Sequence, residues 1–148
     1  MSLNQIFDIA GSAMSAQSIR LNTTSSNMAN AETASSSTGE TYRARKPIFA
    51  AVQAGLMDGG REPGSLFSDR LESRGVRVDG IVESQAELTR RYQPEHPMAD
   101  QEGYVFYPNV NVVEEMADMM SASRNFQTNV EVMNTAKTMM QRIMTLGQ

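Results

Sequence analysis

The chain has no cysteine, no tryptophan and one histidine, His96. Without thiols there are no disulfides, thiolate metal centres or cysteine nucleophiles, and one imidazole is too few for any site that needs two. Aromatic residues make up 6% of the chain, five Phe and four Tyr, too thin a stock to line a dense substrate pocket. Positive charge is also short, with thirteen Lys and Arg against seventeen Asp and Glu and a net charge of −4, the wrong sign for tracking a phosphate backbone. The sequence contains no G-x-S-x-G, no P-loop and no G-x-G-x-x-G. No enzyme, cofactor, small-molecule substrate or nucleic-acid partner is therefore expected. No apolar run approaches the roughly 18 residues of a membrane-spanning helix. The opening residues Met1 to Asp8 lack the basic start of a secretory signal.

What charge there is sits in the middle. Residues 1–31 carry two charged side chains (Asp8, Arg20), residues 32–111 carry 21, and residues 112–148 carry seven. The non-apolar side of the first segment is instead Ser, Thr, Asn and Gln, groups that can be desolvated against a partner if hydrogen-bonded. All five prolines and eight of the ten glycines also fall in 32–111. The composition divides the chain into an N-terminal helix (1–31), a middle region of turns and short strands (32–111) and a C-terminal helix (112–148).

In the first helix Leu3, Phe7, Ala10, Met14, Gln17, Leu21, Thr24 and Met28 alternate steps of four and three, the spacing of a helix seam. Asn27 and Asn30 then favour its end. The last segment begins at Asn111 with Glu114 three residues on, a capping-box-like start, and runs from Val112 to Leu146 without Pro or Gly before Gly147. At 1.5 Å per residue it extends roughly 52 Å. Val112, Met116, Met119, Ser123, Phe126, Val130, Met133, Lys137, Met140 and Met144 keep the same alternation, and seven of the twelve methionines lie here. The fold class expected is mainly α: an antiparallel, coiled-coil-like pair of long terminal helices with a small β-rich middle region. With equal rise, Phe7 and Met14 face Met140 and Met133, while Leu21 and Met28 face Phe126 and Met119. Met116, Val130 and Met144 complete the intrachain packing. Ile6, Ile9, Ala13 and Ala16 with Met139 and Ile143 are left for neighbouring subunits.

Within the middle region Tyr42 to Ala44 and Ile48 to Val52 read as strands around Pro47. Val76, Val78, Ile81 and Val82 read as a hairpin turning at Asp79-Gly80, and Leu88 to Tyr92 and Tyr104 to Tyr107 as two further strands. Residues 53–74 read as a long loop. Glu114, Glu115 and Asp118 suit a helix N-terminus through its dipole without any catalytic role. Glu95-His96-Pro97 with Asp100 and Glu102 reads as a solvated turn, and no metal site is expected.

Two ordered stretches carry a resemblance. Ser26-Asn27-Met28-Ala29-Asn30-Ala31-Glu32-Thr33 with Tyr42-Arg43 resembles the N-terminal signature of bacterial flagellar rod and hook axial proteins. Gly103-Tyr104-Val105, Pro108-Asn109-Val110-Asn111, Ser121 to Asn129 with Arg124, and Lys137-Thr138-Met139-Met140 are similar to the C-terminal signature, closest in pattern to the proximal-rod members. Phe126 stands where the family often has Tyr, and Thr128 where Ala is usual. The resemblance implies a structural subunit of the proximal rod, the motor's drive shaft, which polymerises through its terminal helices and transmits torque. Its partners would be copies of itself, other flagellar rod subunits and the flagellar type III export apparatus. Its place would be the basal-body rod that spans the periplasm, reached without a cleaved signal peptide. The alternative is a soluble coiled-coil adaptor with one helical partner, which needs a single seam and a solvated back.

Overall fold

The computed structural model describes residues 3–53 and 73–146. Helix α1 (Leu3–Asn30) is followed by strands β1 (Arg45–Gln53), β2 (Ser73–Glu83), β3 (Thr89–Tyr92) and β4 (Tyr104–Tyr107), then helix α2 (Val112–Leu146). Both helices fill the spans that their apolar periodicity sets. The stop expected at Gly147 lies outside the described residues, as does the loop expected over 53–74 except at its edges, where Gln53 and Ser73 are paired strand residues.

The two helices run antiparallel. Arg20 donates to Asp118 at 2.6 Å, and Ile6 shares an apolar groove with Val132 and Met139 at the other end of the pair. The registry differs from the equal-rise expectation. Asn27 meets Glu115 instead of the residues around Met120, a slide of more than one turn. Heptad periodicity does not set the axial offset, which specific polar bonds decide here.

The seam is also rotated. Met119, Phe126, Met133 and Met140 are half-buried, with Ser123 and Val130 beside them. Met116 (51% exposed) and Met144 (62% exposed), expected within the chain's own packing, face outward instead. Glu115, Ala122 and Ala136 occupy the most buried positions on α2, and on α1 Ala10 and Ala16 are buried along with Thr23, Thr24 and Asn27. Small side chains let the helix backbones approach closely, so the tightest line follows alanine and not methionine. Ala16 is thereby spent inside the subunit and has no surface left for a neighbour.

A second layer covers α1. Strands β1 and β2 form an antiparallel ribbon that packs along this helix. The hairpin expected at Asp79-Gly80 is absent: β2 runs straight through, Ile48 pairs with Gly80 and Phe49 with Val78, so Asp79 is a bulge. Pairing with β1 supplies the β2 backbone with partners that a local turn could not. Tyr42 to Ala44 is not strand either, and β1 starts at Arg45 and continues through Pro47, which a two-stranded ribbon tolerates on an unpaired edge. At Gly75 φ is +137°, and an added Cβ would overlap the Ser12 hydroxyl, so glycine is required both by backbone and by space. That hydroxyl accepts from Val76 N–H at 3.1 Å. Strands β3 and β4 form a separate ribbon, tied to the chain after α1 by reciprocal 3.0 Å bonds between Ser35 and Phe106.

Candidate functional site

The residues of the two resembling stretches meet where both helices join the β ribbon. Asn27, in the last turns of α1, is fully buried. Its Nδ2 donates to Arg45 O at 2.8 Å and to Glu115 Oε1 at 3.0 Å, and its Oδ1 accepts from Arg45 N–H at 2.9 Å and from the Tyr42 hydroxyl at 2.9 Å. The amide thus bonds both peptide groups of Arg45, as a neighbouring strand would, and continues the ladder of β1 onto the helix. One side chain joins α1, β1 and α2.

Around it the bonds are mutually supporting. Tyr42 OH also lies 3.3 Å from Ser26 Oγ, and the Arg45 guanidinium sits 5.4 Å from the Tyr42 ring centroid while pairing with Glu83. Asn109 Oδ1 accepts from Ala44 N–H at 2.8 Å, and its Nδ2 donates to Ala86 O at 3.0 Å. Arg43 Nη1 holds the carbonyls of Ser84 and Ala86. Pro108, which precedes Asn109, is buried. Asn30 Nδ2 bonds Ser26 O, and Thr33 donates its hydroxyl to Asn30 O at 2.7 Å, closing the end of α1.

Asn111 caps α2, its Oδ1 accepting from Val113 N–H at 3.1 Å. The reciprocal half of the expected capping box does not form, because Glu114 reaches Lys46 on β1 instead. The acidic cluster expected to suit the helix N-terminus through its dipole is divided among three partners: Glu114 with Lys46, Asp118 with Arg20, and Glu115 with Asn27. Glu115 is only 4% exposed. Burial pushes its carboxyl above the ordinary range, against the lowering effect of the Asn27 bond and Lys46 and with the raising effect of Asp118 and Glu114. The spacing of Glu115 from Asn111 carried no sign of this role. A buried Ala line on the same face was the available signal.

The remaining motif residues lie elsewhere. Arg124 and Lys137 are exposed on α2, and Asn129 bonds the Asn125 carbonyl within its own helix. Of the residues expected between subunits, Ile6, Ile9 and Ala13 are half-buried, while Met139 (55%) and Ile143 (60%) are exposed. In the expected solvated turn, Asp100 Oδ1 accepts from the amides of Glu102 and Tyr104, and among the described residues no acidic or imidazole cluster can hold a metal ion. No described helix is long and apolar enough to cross a membrane.

Two family models match the ends of the chain: residues 7–34 match the flagella basal body rod protein family, and residues 101–146 match the C-terminal family of the flagellar basal body rod FlgEFG proteins. The chain is 47% identical to the flagellar basal-body rod protein FlgC of Escherichia coli O6:H1 over 148 residues, covering 100% of both chains. It is equally similar, 47% over 100% of both, to that of Salmonella typhimurium, and 35% identical to that of Borreliella burgdorferi over 100% of this chain and 99% of the relative. The matched ends hold the Asn27 and Asn109–Asn111 junctions, and the similarity to these relatives is measured over the full length of the chain. The chain belongs to the FlgC family of flagellar basal-body rod proteins, structural subunits of the bacterial flagellum.

Proposed function

We propose that this rod subunit polymerises in the proximal rod through head-to-tail contacts made by its terminal helices, and carries torque along them. One observation bears most of the weight. Apart from Val112 and Met144, the large exposed apolar residues of α2 form two patches, Val113, Met116 and Met120 near its start and Val132, Met139 and Ile143 near its end. At 3.6 residues per turn these lie roughly 130° apart around the axis, and Met116 and Met139 are roughly 35 Å apart along it. Patches on different flanks at different heights suit a heterologous contact that repeats, not a self-complementary dimer. The second patch borders the groove formed with Ile6, Thr128 and Ala136. Methionines let such a surface fit non-identical neighbours, so other rod subunits are partners alongside copies of the chain.

The role is structural and not catalytic, the place is the periplasm-spanning part of the basal body, and delivery is by the flagellar type III export apparatus without cleavage of a signal. The coiled-coil-like helix pair is the element that bears load. An adaptor with one seam leaves the second apolar patch without a purpose, and full-length similarity to rod proteins does not favour it.

Cysteine chemistry tests this in a chain that has none of its own. In assembled rods, Met116→Cys with Met139→Cys should give disulfide ladders of more than one subunit, since the separation is too great for a bond within one chain. Crosslinking that never exceeds one subunit would count against head-to-tail assembly.

A further inference from the structure

We propose that Glu115 is a proton-linked latch: closing the junction between α1, β1 and α2 takes up a proton on this carboxyl, so the junction holds more tightly in mildly acidic surroundings. Glu115 Oε1 is bonded to Asn27, but Oε2 is buried with no hydrogen-bond partner among the described residues. A buried carboxylate oxygen without a donor is a costly place for negative charge, and a proton on that atom removes the charge while leaving Oε1 free to accept from Asn27.

The neighbouring charges do not supply the missing donor. From α1, Arg20 is engaged with Asp118 at 2.6 Å. From β1, Lys46 is engaged with Glu114 at 3.2 Å and Arg45 with Glu83 at 3.0 Å. On α2 itself, Glu114 and Asp118 add negative charge on either side. The Tyr42 hydroxyl, on the other side of the Asn27 amide from Glu115, donates to Asn27 Oδ1. Burial raises the Glu115 carboxyl above its ordinary 4.5, in agreement with this geometry.

The direction of the linkage follows. Between the ordinary value and the raised one the closed junction binds more protons than the open chain, so the contribution of Glu115 to stability is fully present below 4.5 and is lost as pH rises through the raised value. Because Asn27 also bonds the Arg45 amide at 2.9 Å, that single N–H reports closure.

The experiment follows Arg45 amide exchange in the full chain from acid to neutral pH, corrected for intrinsic exchange, in the native protein and in Glu115→Gln. Native protection should fall with rising pH, by up to about tenfold per pH unit, the limit for one proton. The variant, with nothing to titrate at this position, should lose that slope, and His96 is common to both. A slope unchanged in the variant, or no slope in the native protein, overturns the latch. Should the variant not fold, the native Glu115 carboxyl carbon decides by NMR: titration above the ordinary 4.5 is expected, and titration at or below it overturns the latch.

Discussion

Asn27 has two donor and two acceptor positions on its side chain, and all four are used inside the protein. An isosteric change in chemistry is therefore a sharper probe than truncation. Asn27→Asp puts an acceptor where Nδ2 donates, facing Arg45 O and Glu115 Oε1, and sets a second carboxylate against the first. We expect a loss of about 3 kcal/mol or more near neutral pH, partly recovered in acid as the pair shares a proton, read as the urea midpoint against pH. The need for an Asn here was legible only through the resemblance. Local rules place Asn at helix ends for turn propensity, whereas this residue serves a strand eighteen positions later. The burial of Glu115 was not legible for a related reason, since helix dipole and periodicity are local and the partner that buries it comes from the far end of the chain.

At the scale of the elements, helix boundaries and the positions of β3 and β4 follow from periodicity and from proline and glycine, whereas the pairing of β3 with β4 is seen only in the structure. The offset and rotation of the helix pair do not follow from periodicity either, because bulky residues dominate a hydrophobic pattern while close approach is set by small ones. The distinction can be measured. Ala122→Leu forces a large side chain into the tightest part of the seam and should cost about 1–3 kcal/mol, whereas Met144→Ala, on an exposed position, should leave the unfolding midpoint nearly unchanged. Phe126→Ala, half-buried, should cost about 2 kcal/mol and lower motility while secretion persists. At the ribbon, Gly75→Ala strains a φ of +137° and collides with Ser12, and should cost about 1–3 kcal/mol. Adding Ser12→Ala relieves the collision only, so restoration by the double variant should be partial. The β2 strand was misassigned because Asp-Gly has the chemistry of a two-residue turn as well as of a bulge, and only the pairing partner distinguishes them.

For the molecule as a whole, the fully buried hydrophobic positions are few and small: Ala10, Ala16, Ala44, Val105, Ala122 and Ala136 among the described residues. Positions 141–145 are exposed on every side of α2. Amides there should exchange quickly in the isolated subunit and at least about tenfold more slowly in an assembled rod, and equal rates in both states would count against assembly through this end. The contacts that hold the subunit together join residues far apart in the chain: Arg20 and Asp118 are separated by 98 positions. Closing such a span costs about 4 kcal/mol in chain entropy on length scaling alone. A polypeptide that enters a narrow passage by its first residues therefore carries α1 through alone, because its packing partner is still upstream and has not arrived. On the export route proposed above, the subunit would reach its full girth only after its tail had cleared the opening, so that the order of the chain would delay folding until delivery is complete.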